Sequence, residues 1–346
     1  MKKISNWKSQ AILTVSLIVA SRLAAAQVGI GTINPQEKLH INEGSILGTS
    51  INTDPTDNPF YDPSNPENLE HGFKWFHDRC AFRSVAQVVG GFALSPSEIN
   101  YFSFASGFEA YAHGFGGTSM GIRTSAEGEA SFATGFYTTA SGAKSFAAGN
   151  MSTASGDRSV AIGYKVSTNN KTGSFIFGDA SSFGNSKSDE DNQMMMRFAG
   201  GYKLFTDAGS GIGVLLLPNS NSWSAISDVN KKENFAPVNG EDFLQKIAKM
   251  SLTSWNYKGQ DPKQYRHYGP MAQDFYKAFG QDAFGTIGTD TTINQADFDG
   301  INLIAVQALI RRMEEMSLEI ATIKAELAEA RSEHGRKKKR ILAIQK

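Results

Sequence analysis

Residues 131–164 read SFATGFYTTASGAKSFAAGNMSTASGDRSVAIGY, and the spacing of glycine in that stretch decides how the middle of the chain folds. Gly135, Gly149 and Gly163 stand fourteen residues apart. Gly107 and Gly121 extend the series upstream, and Gly178 follows one residue late. The residues before these glycines are alike: SFAS, TSM after Gly117, SFAT, SFAA, SVAI and SFIF. A second set lies midway, where Ala112, Ala126, Ala140 and Ala154 are each followed two residues later by Gly114, Gly128, Gly142 and Gly156.

Each period therefore holds two short strand-like pieces and two glycine turns. In SVAIG the side chains alternate, with Val160 and Ile162 on one side and Ala161 on the other. Both faces are apolar or small, as expected if one fills the inside of a coil and the other meets a neighbour. Glycine supplies the positive φ or the close backbone approach that a corner needs. One coil of this size cannot bury its own apolar face, whereas stacked coils, and then several stacked chains, can. Phe104, Phe132, Phe146 and Phe175 keep one position of the repeat, which a free Gly/Ser linker has no reason to do.

The segments SFAAGNMSTASG (145–156) and SVAIGYKVST (159–168) resemble the head repeats of trimeric autotransporter adhesins, and the likeness covers about 101–178. It implies a left-handed parallel β-roll with 14-residue coils, formed by three chains. The chain departs from that family in its many Phe, where Val or Ile is usual, and in a C-terminal region that does not read as a membrane barrel. The resemblance thus implies the head fold and not the anchoring route.

Outward from the repeat, the composition is balanced. Lys and Arg number 34, as do Asp and Glu, so nothing in the total charge argues for a nucleic-acid partner. Glycine at 34 together with 23 Phe speaks for tightly wound β structure, since disordered chains are poor in aromatics. Residues 1–26 read as an export signal. Lys2, Lys3 and Lys8 precede the apolar run AILTVSLIVA (11–20), and Ala24 to Ala26 offer small residues for cleavage before Gln27. The run is too short to span a bilayer, and no later segment reads as a spanning helix. An exported chain at the cell surface, associated with an outer membrane or secreted, is the expectation, with no transmembrane anchor in the mature chain.

Residues 27–100 read as an N-terminal β and loop neck. Its start, VGIGTINPQEKLHI (28–41), resembles the opening motif of many exported fibre proteins, and 50–70 is rich in Asn, Asp and Pro. Cys80 is the single cysteine and cannot pair within its chain. His71, His77 and Asp78 lie near it in a spacing that matches no zinc pattern, so no metal is assigned. The expected divisions are the β-roll at 101–180, a linker and hairpin at 181–226, and a last domain at 227–346. In the linker, MMMRFAGGYKLFTD (194–207) reads as a hairpin turning at Gly200-Gly201.

The last domain begins Ser227-Asp228-Val229-Asn230-Lys231-Lys232. A neutral lysine amine can take a serine proton when burial favours the uncharged form. An offset of five brings the two side chains together neither on a helix nor on a straight strand. A working pair therefore requires a turn between them, which Val229-Asn230 could supply. SDVNKKEN (227–234), LTSWNYKG (252–259), HYGPMAQDFYKAFG (267–280) and INQADFDGINLIAVQALIRRMEE (293–315) occur in this order. Together they resemble the intramolecular chaperone domain of phage endosialidases and tail fibres, over Ser227 to about Leu327. That resemblance implies an α+β trimerising domain that folds the upstream fibre and is then released by self-cleavage. It further implies Ser227 as nucleophile, Lys232 as general base and a cut between Ile226 and Ser227. Asp228 would shape the turn, and His267 and Gln273 are supporting candidates. No cofactor is implied.

Val306, Leu309, Met313, Met316, Ile320, Ile323 and Leu327 alternate three and four apart, the seam of a coiled coil. The number of strands is not set by that seam; the homotrimer follows from the resemblances. Two other functions compete. A glycan-binding or glycan-degrading tailspike would need paired carboxylates. The repeat offers only Glu109, Glu127, Glu129 and Asp157, which do not recur as a pair. An uncleaved domain serving only trimerisation would need neither Ser227 nor Lys232. A host or surface glycan or protein is the candidate ligand of the fibre.

Overall fold

The computed structural model describes residues 28–30, 39–41, 46–52, 69–88, 91–181 and 184–344. The expected export signal lies outside them, as does most of the Asn/Asp/Pro-rich segment. The chain divides into two compact units, one reaching Tyr202 and including Leu217–Asn219, the other made of Lys203–Leu216 and Ser220–Lys346.

The first unit is a stack of parallel coils. In one coil, strand Phe132–Phe136 leads through a corner at Tyr137 to strand Thr139–Ala140, and a second corner at Lys144 leads to the next coil. Phe132 pairs with Phe146, Ala133 with Ala147 and Gly135 with Gly149, all in parallel and without slip. The short strands make their own parallel ladder, Thr139 against Ser125 and Thr153. Period fourteen thus becomes vertical register, which the sequence spacing requires once neighbouring coils pair residue to residue.

The structure decides which face points inward. Ala105, Ala126, Ala133, Ala140, Ala147, Ala154 and Ala161 are fully buried, while Val160 and Ile162 are only partly covered. Along most of its axis the coil interior holds small side chains, these alanines together with buried Ser and Thr such as Ser119, Thr124, Thr138 and Ser152, and only toward the far end Val166 and Ile176. The large side chains therefore form an outer ladder, with Phe132 stacked on Phe146 at 5.2 Å and Phe82 on Phe104 at 5.3 Å. Corner residues Tyr137, Met151 and Lys165 take left-handed backbone, as do Ala130, Lys144 and Arg158 on the other edge. Their N–H groups hydrogen-bond the coil below, for example Tyr137 N–H to the Ile122 carbonyl at 2.9 Å and Met151 N–H to the Phe136 carbonyl at 2.8 Å. Those bonds offset the cost of left-handed φ in residues other than glycine.

The stack is longer than 101–180. Strand Ala81–Val88 pairs in parallel with Phe104–Phe108 at one end and continues, through the antiparallel strands Leu69–Phe76 and Ile46–Asn52, the same sheet. At the other end Met194–Arg197 pairs in parallel with Phe175–Gly178. The hairpin expected over 194–207 is therefore absent. Met194–Arg197 is the last rung of the coil stack, whereas Tyr202–Phe205 belongs to a separate sheet with Gly213–Leu216 and Ser224–Ala225. Gly200-Gly201 ends the stack instead of folding it back, because alternation alone does not say which strand a strand will pair with.

Each end of the coil interior is closed by an arginine. Arg83 sits one rung above the alanine column, paired with Ala105, and is 1% exposed. Its guanidinium donates to the carbonyls of Phe82 at 2.8 Å, Ser103 at 3.2 Å and Ala112 at 3.0 Å, and to Ser103 Oγ at 2.9 Å. Burial away from water lowers its pKa to about 10. At the far end Arg197 donates to Asp179 Oδ1 and to Ser186 Oγ, each at 2.7 Å. Arg83→Met keeps the length and loses the donors, leaving buried carbonyls without partners. It is expected to lower stability by about 1–3 kcal/mol, read from denaturant unfolding of the whole chain.

The second unit holds the small three-stranded sheet and, among the described residues, helices α1 (Gly240–Lys249), α2 (Ala272–Phe279) and α3 (Gln295–Ile344). Asn239 caps α1 by accepting from the N–H of Glu241 and Asp242. Phe275, Phe279 and Ile301 are the buried centre, with Phe243, Ile247 and Phe298 packed against them. Gly240 lets α1 lie against α3, since a Cβ there would meet Ala308 Cβ at 2.8 Å. Arg312 of α3 forms an ion pair with Glu241 of α1. The expected seam residues lie on α3, and Val306, Leu309, Met313, Met316, Ile320, Ile323 and Leu327 are all exposed on the single chain.

Candidate functional site

Strand Ser224–Ala225 delivers the chain to the site. It pairs antiparallel with Gly213–Leu216, Ala225 opposite Val214 and Ser224 opposite Leu215. The next N–H, that of Ile226, donates to the Gly213 carbonyl at 3.2 Å. The peptide bond between Ile226 and Ser227 is thus the first one to leave the sheet.

The required turn follows at once. Asp228 precedes a 3-10 turn over Val229–Lys231 and accepts from the Asn230 backbone N–H at 2.9 Å and from its side-chain amide at 3.0 Å. Such side-chain capping is the ordinary use of Asp before a tight turn. The turn folds the five-residue offset back on itself, and Lys232 Nζ donates to Ser227 Oγ at 2.7 Å. The Asp228 carboxylate hydrogen-bonds Asn230 and so holds the turn that joins the pair. The arrangement can pass a proton between a hydroxyl and an amine beside an extended peptide bond. Both side chains are exposed on the single chain.

His267 and Gln273 lie elsewhere. His267 opens strand His267–Gly269, which pairs with Thr253–Trp255, and its ring stacks on Trp255 at 4.7 Å. Its Nε2 is buried without a hydrogen-bond partner, as is Trp255 Nε1. Gln273 is exposed in the first turn of α2. Among the described residues neither hydrogen-bonds Ser227 or Lys232. Cys80 is exposed at the turn between Leu69–Phe76 and Ala81–Val88, with a left-handed φ of 49°.

The four acids that bear on glycan chemistry are engaged separately. Glu109 accepts from Arg123 Nε at 2.6 Å, and Glu127 accepts from Ser125 Oγ at 3.0 Å. Glu129 faces Lys144 at 4.0 Å, and Asp157 accepts from the Ala143 N–H at 3.0 Å. The contacts of Glu109, Glu129 and Asp157 tie neighbouring coils together, as the fourteen- or fifteen-residue separation of the partners requires.

A neighbour of the serine–lysine pair comes from a stretch with no chemical motif, DAGSGIG at 207–213. Asp207 accepts backbone hydrogen bonds from Ile212 at 2.7 Å, Gly211 at 2.9 Å and Gly209 at 3.1 Å. The first two of these bonds are the main cause holding its carboxyl below the usual carboxylate range. The alternation of glycine after an aspartate is the one sequence signal for such a loop.

Two segments of the chain match family models. Residues 112–138 and 140–165 match two copies of the YadA head domain repeat. Residues 227–283 match a peptidase family described as the chaperone of endosialidase, and that match begins at Ser227. No curated protein matches the chain. The chain therefore carries, in order, coils similar to an adhesin head and a segment similar to the chaperone of endosialidase, a pairing that supports a fibre with a C-terminal chaperone.

Proposed function

We propose that this chain is an exported homotrimeric surface fibre whose C-terminal chaperone assembles it and then cuts itself free between Ile226 and Ser227. The observation that carries the cut is the 2.7 Å contact of Lys232 Nζ with Ser227 Oγ, directly after a peptide bond leaving a sheet edge. Lys232, as the neutral amine, takes the proton of Ser227 Oγ, which attacks the Ile226 carbonyl carbon. The C–N bond to Ser227 breaks as its nitrogen receives the proton from Lys232. An ester between Ile226 and Ser227 Oγ is left. Water hydrolyses it to the Ile226 carboxylate, freeing the Ser227 hydroxyl and leaving Ser227 as a new N-terminus.

Assembly and cutting are coupled in this reading. A lysine serves as base when it is withdrawn from water. The single chain leaves Lys232 exposed, so covering it falls to neighbouring copies. Three surfaces support such copies. The chaperone unit exposes Phe235 at 69%, Leu303 at 70% and Tyr268 at 84%, too much apolar area for a finished core. The coil stack presents its Phe ladder, and α3 its unpartnered seam. The fibre's ligand is a surface glycan or protein.

Mass determination of the purified, mature protein tests this. Two products are expected, one ending at Ile226 and one beginning at Ser227, with a native mass near three copies of the fibre portion. A stable monomer, or a boundary at any other residue, overturns the proposal.

A further inference from the structure

We propose that the loop 207–213 is a clamp across the scissile bond and that Asp207 is its positioning residue. Three observations meet there. The loop is built on one carboxylate: the Asp207 side chain takes the N–H groups of Gly209, Gly211 and Ile212. The loop is closed at its base by the Thr206 N–H to the Ile212 carbonyl at 3.0 Å. Third, the same short loop holds the chain on both sides of the Ile226–Ser227 bond. Its Gly213 carbonyl accepts from the Ile226 N–H at 3.2 Å, and its Ser210 carbonyl accepts from Lys231 Nζ at 3.4 Å.

Lys231 adjoins Lys232, so the second contact fixes the end of the turn that carries the amine. The first fixes the residue whose carbonyl is attacked. Gly213 is pressed against its other neighbour, since a Cβ there would lie 2.2 Å from the Leu204 carbonyl oxygen. The loop cannot drift toward that strand and keep its register. Amine, hydroxyl and carbonyl are thus referred to one rigid piece of backbone, which is what an intramolecular attack needs. The clamp also lies upstream of the bond. After the cut, Gly213 stays with the new C-terminus at Ile226, while the departing chaperone gives up the Lys231 contact to this loop.

This rests on the reading of Ser227 as nucleophile, and two measurements separate the two ideas. In the otherwise wild-type chain, Asp207→Ala is expected to slow self-cleavage about 10- to 100-fold, the scale of misplacing reacting groups by about 1 Å. Asp207→Asn, which keeps an acceptor oxygen, is expected to recover some of that rate. In the Ser227→Ala chain, which carries the clamp uncut, hydrogen exchange at the Ile226 amide is expected to be slow and to become fast when Asp207→Ala is added. Cleavage by Asp207→Ala at the wild-type rate, or unchanged protection of Ile226, overturns the clamp even if Ser227 is the nucleophile. Cleavage in Ser227→Ala overturns the nucleophile, and the exchange at Ile226, compared in whichever product retains it, still judges the clamp.

Discussion

Ser227→Ala is expected to leave a single full-length product, a loss of self-cleavage of at least about a thousandfold, because the attacking oxygen is gone. Lys232→Ala is expected to match it, since no other amine among the described residues donates to Ser227 Oγ. Lys232→Arg is the sharper probe. A guanidinium can still donate a hydrogen bond to the hydroxyl, yet it stays charged and accepts no proton. If the lysine merely held the serine in place, arginine would support some cutting; if it is the base, arginine supports none. Ser227→Cys keeps a nucleophile and is expected to retain partial activity. All four variants are expected to fold as wild type, because both side chains are exposed on the single chain and leave no hole in its core. Denaturing electrophoresis reads the cut and native mass the assembly. A fragment beginning at residue 227 in Ser227→Ala would remove the serine from the chemistry.

The largest effect on stability is expected at the glycine column. Gly135 has φ +118°, and a Cβ on it would lie 2.0 Å from the Gly149 carbonyl oxygen. Gly121 and Gly149 repeat the geometry, with the same contact at 2.2 and 2.1 Å to the next coil. Relief is not available through a side-chain rotation, because the obstacle is backbone that itself carries the parallel ladder. Gly135→Ala must therefore push neighbouring coils apart or distort φ, and each is costly. A loss of about 3–5 kcal/mol is expected, enough to lower the melting temperature by about 10 °C for a unit of this size. Gly200→Ala is the control, since a Cβ there meets nothing within 4 Å. Equal melting of the two variants would mean that the coils tolerate separation.

The coil stack and the contact of Ser227 with Lys232 were legible to different depths. Residue-to-residue pairing across 14 positions follows from the recurrence of Gly135, Gly149 and Gly163, because each equivalent residue must lie above the last. The rung at Met194–Arg197 was not legible. It arrives nineteen residues after Phe175 instead of fourteen, and MMMR carries none of the SFAAG pattern. Only the vacant edge of strand Phe175–Gly178 recruits it. The role of Arg83 was hidden for the same reason. In a strand reading it is one polar residue in AFRSVAQV, and the carbonyls it serves come from residues as far off as Ala112.

By itself the sequence determined the period, the two-strand division of each coil and the need for a turn between Ser227 and Lys232. All of these are local or strictly periodic, so spacing encodes them. The corners after the long strands fall on Tyr137, Met151 and Lys165, and the glycines Gly135, Gly149 and Gly163 stand inside the strands. The tertiary structure alone decided that alanine with serine and threonine, and not phenylalanine, fills most of the coil, because the width of the coil is a property of the closed turn. It alone brought the loop at Asp207 across the bond after Ile226. That contact joins segments with no common pattern, and it exists only because Gly213–Leu216 and Ser224–Ala225 pair in one register.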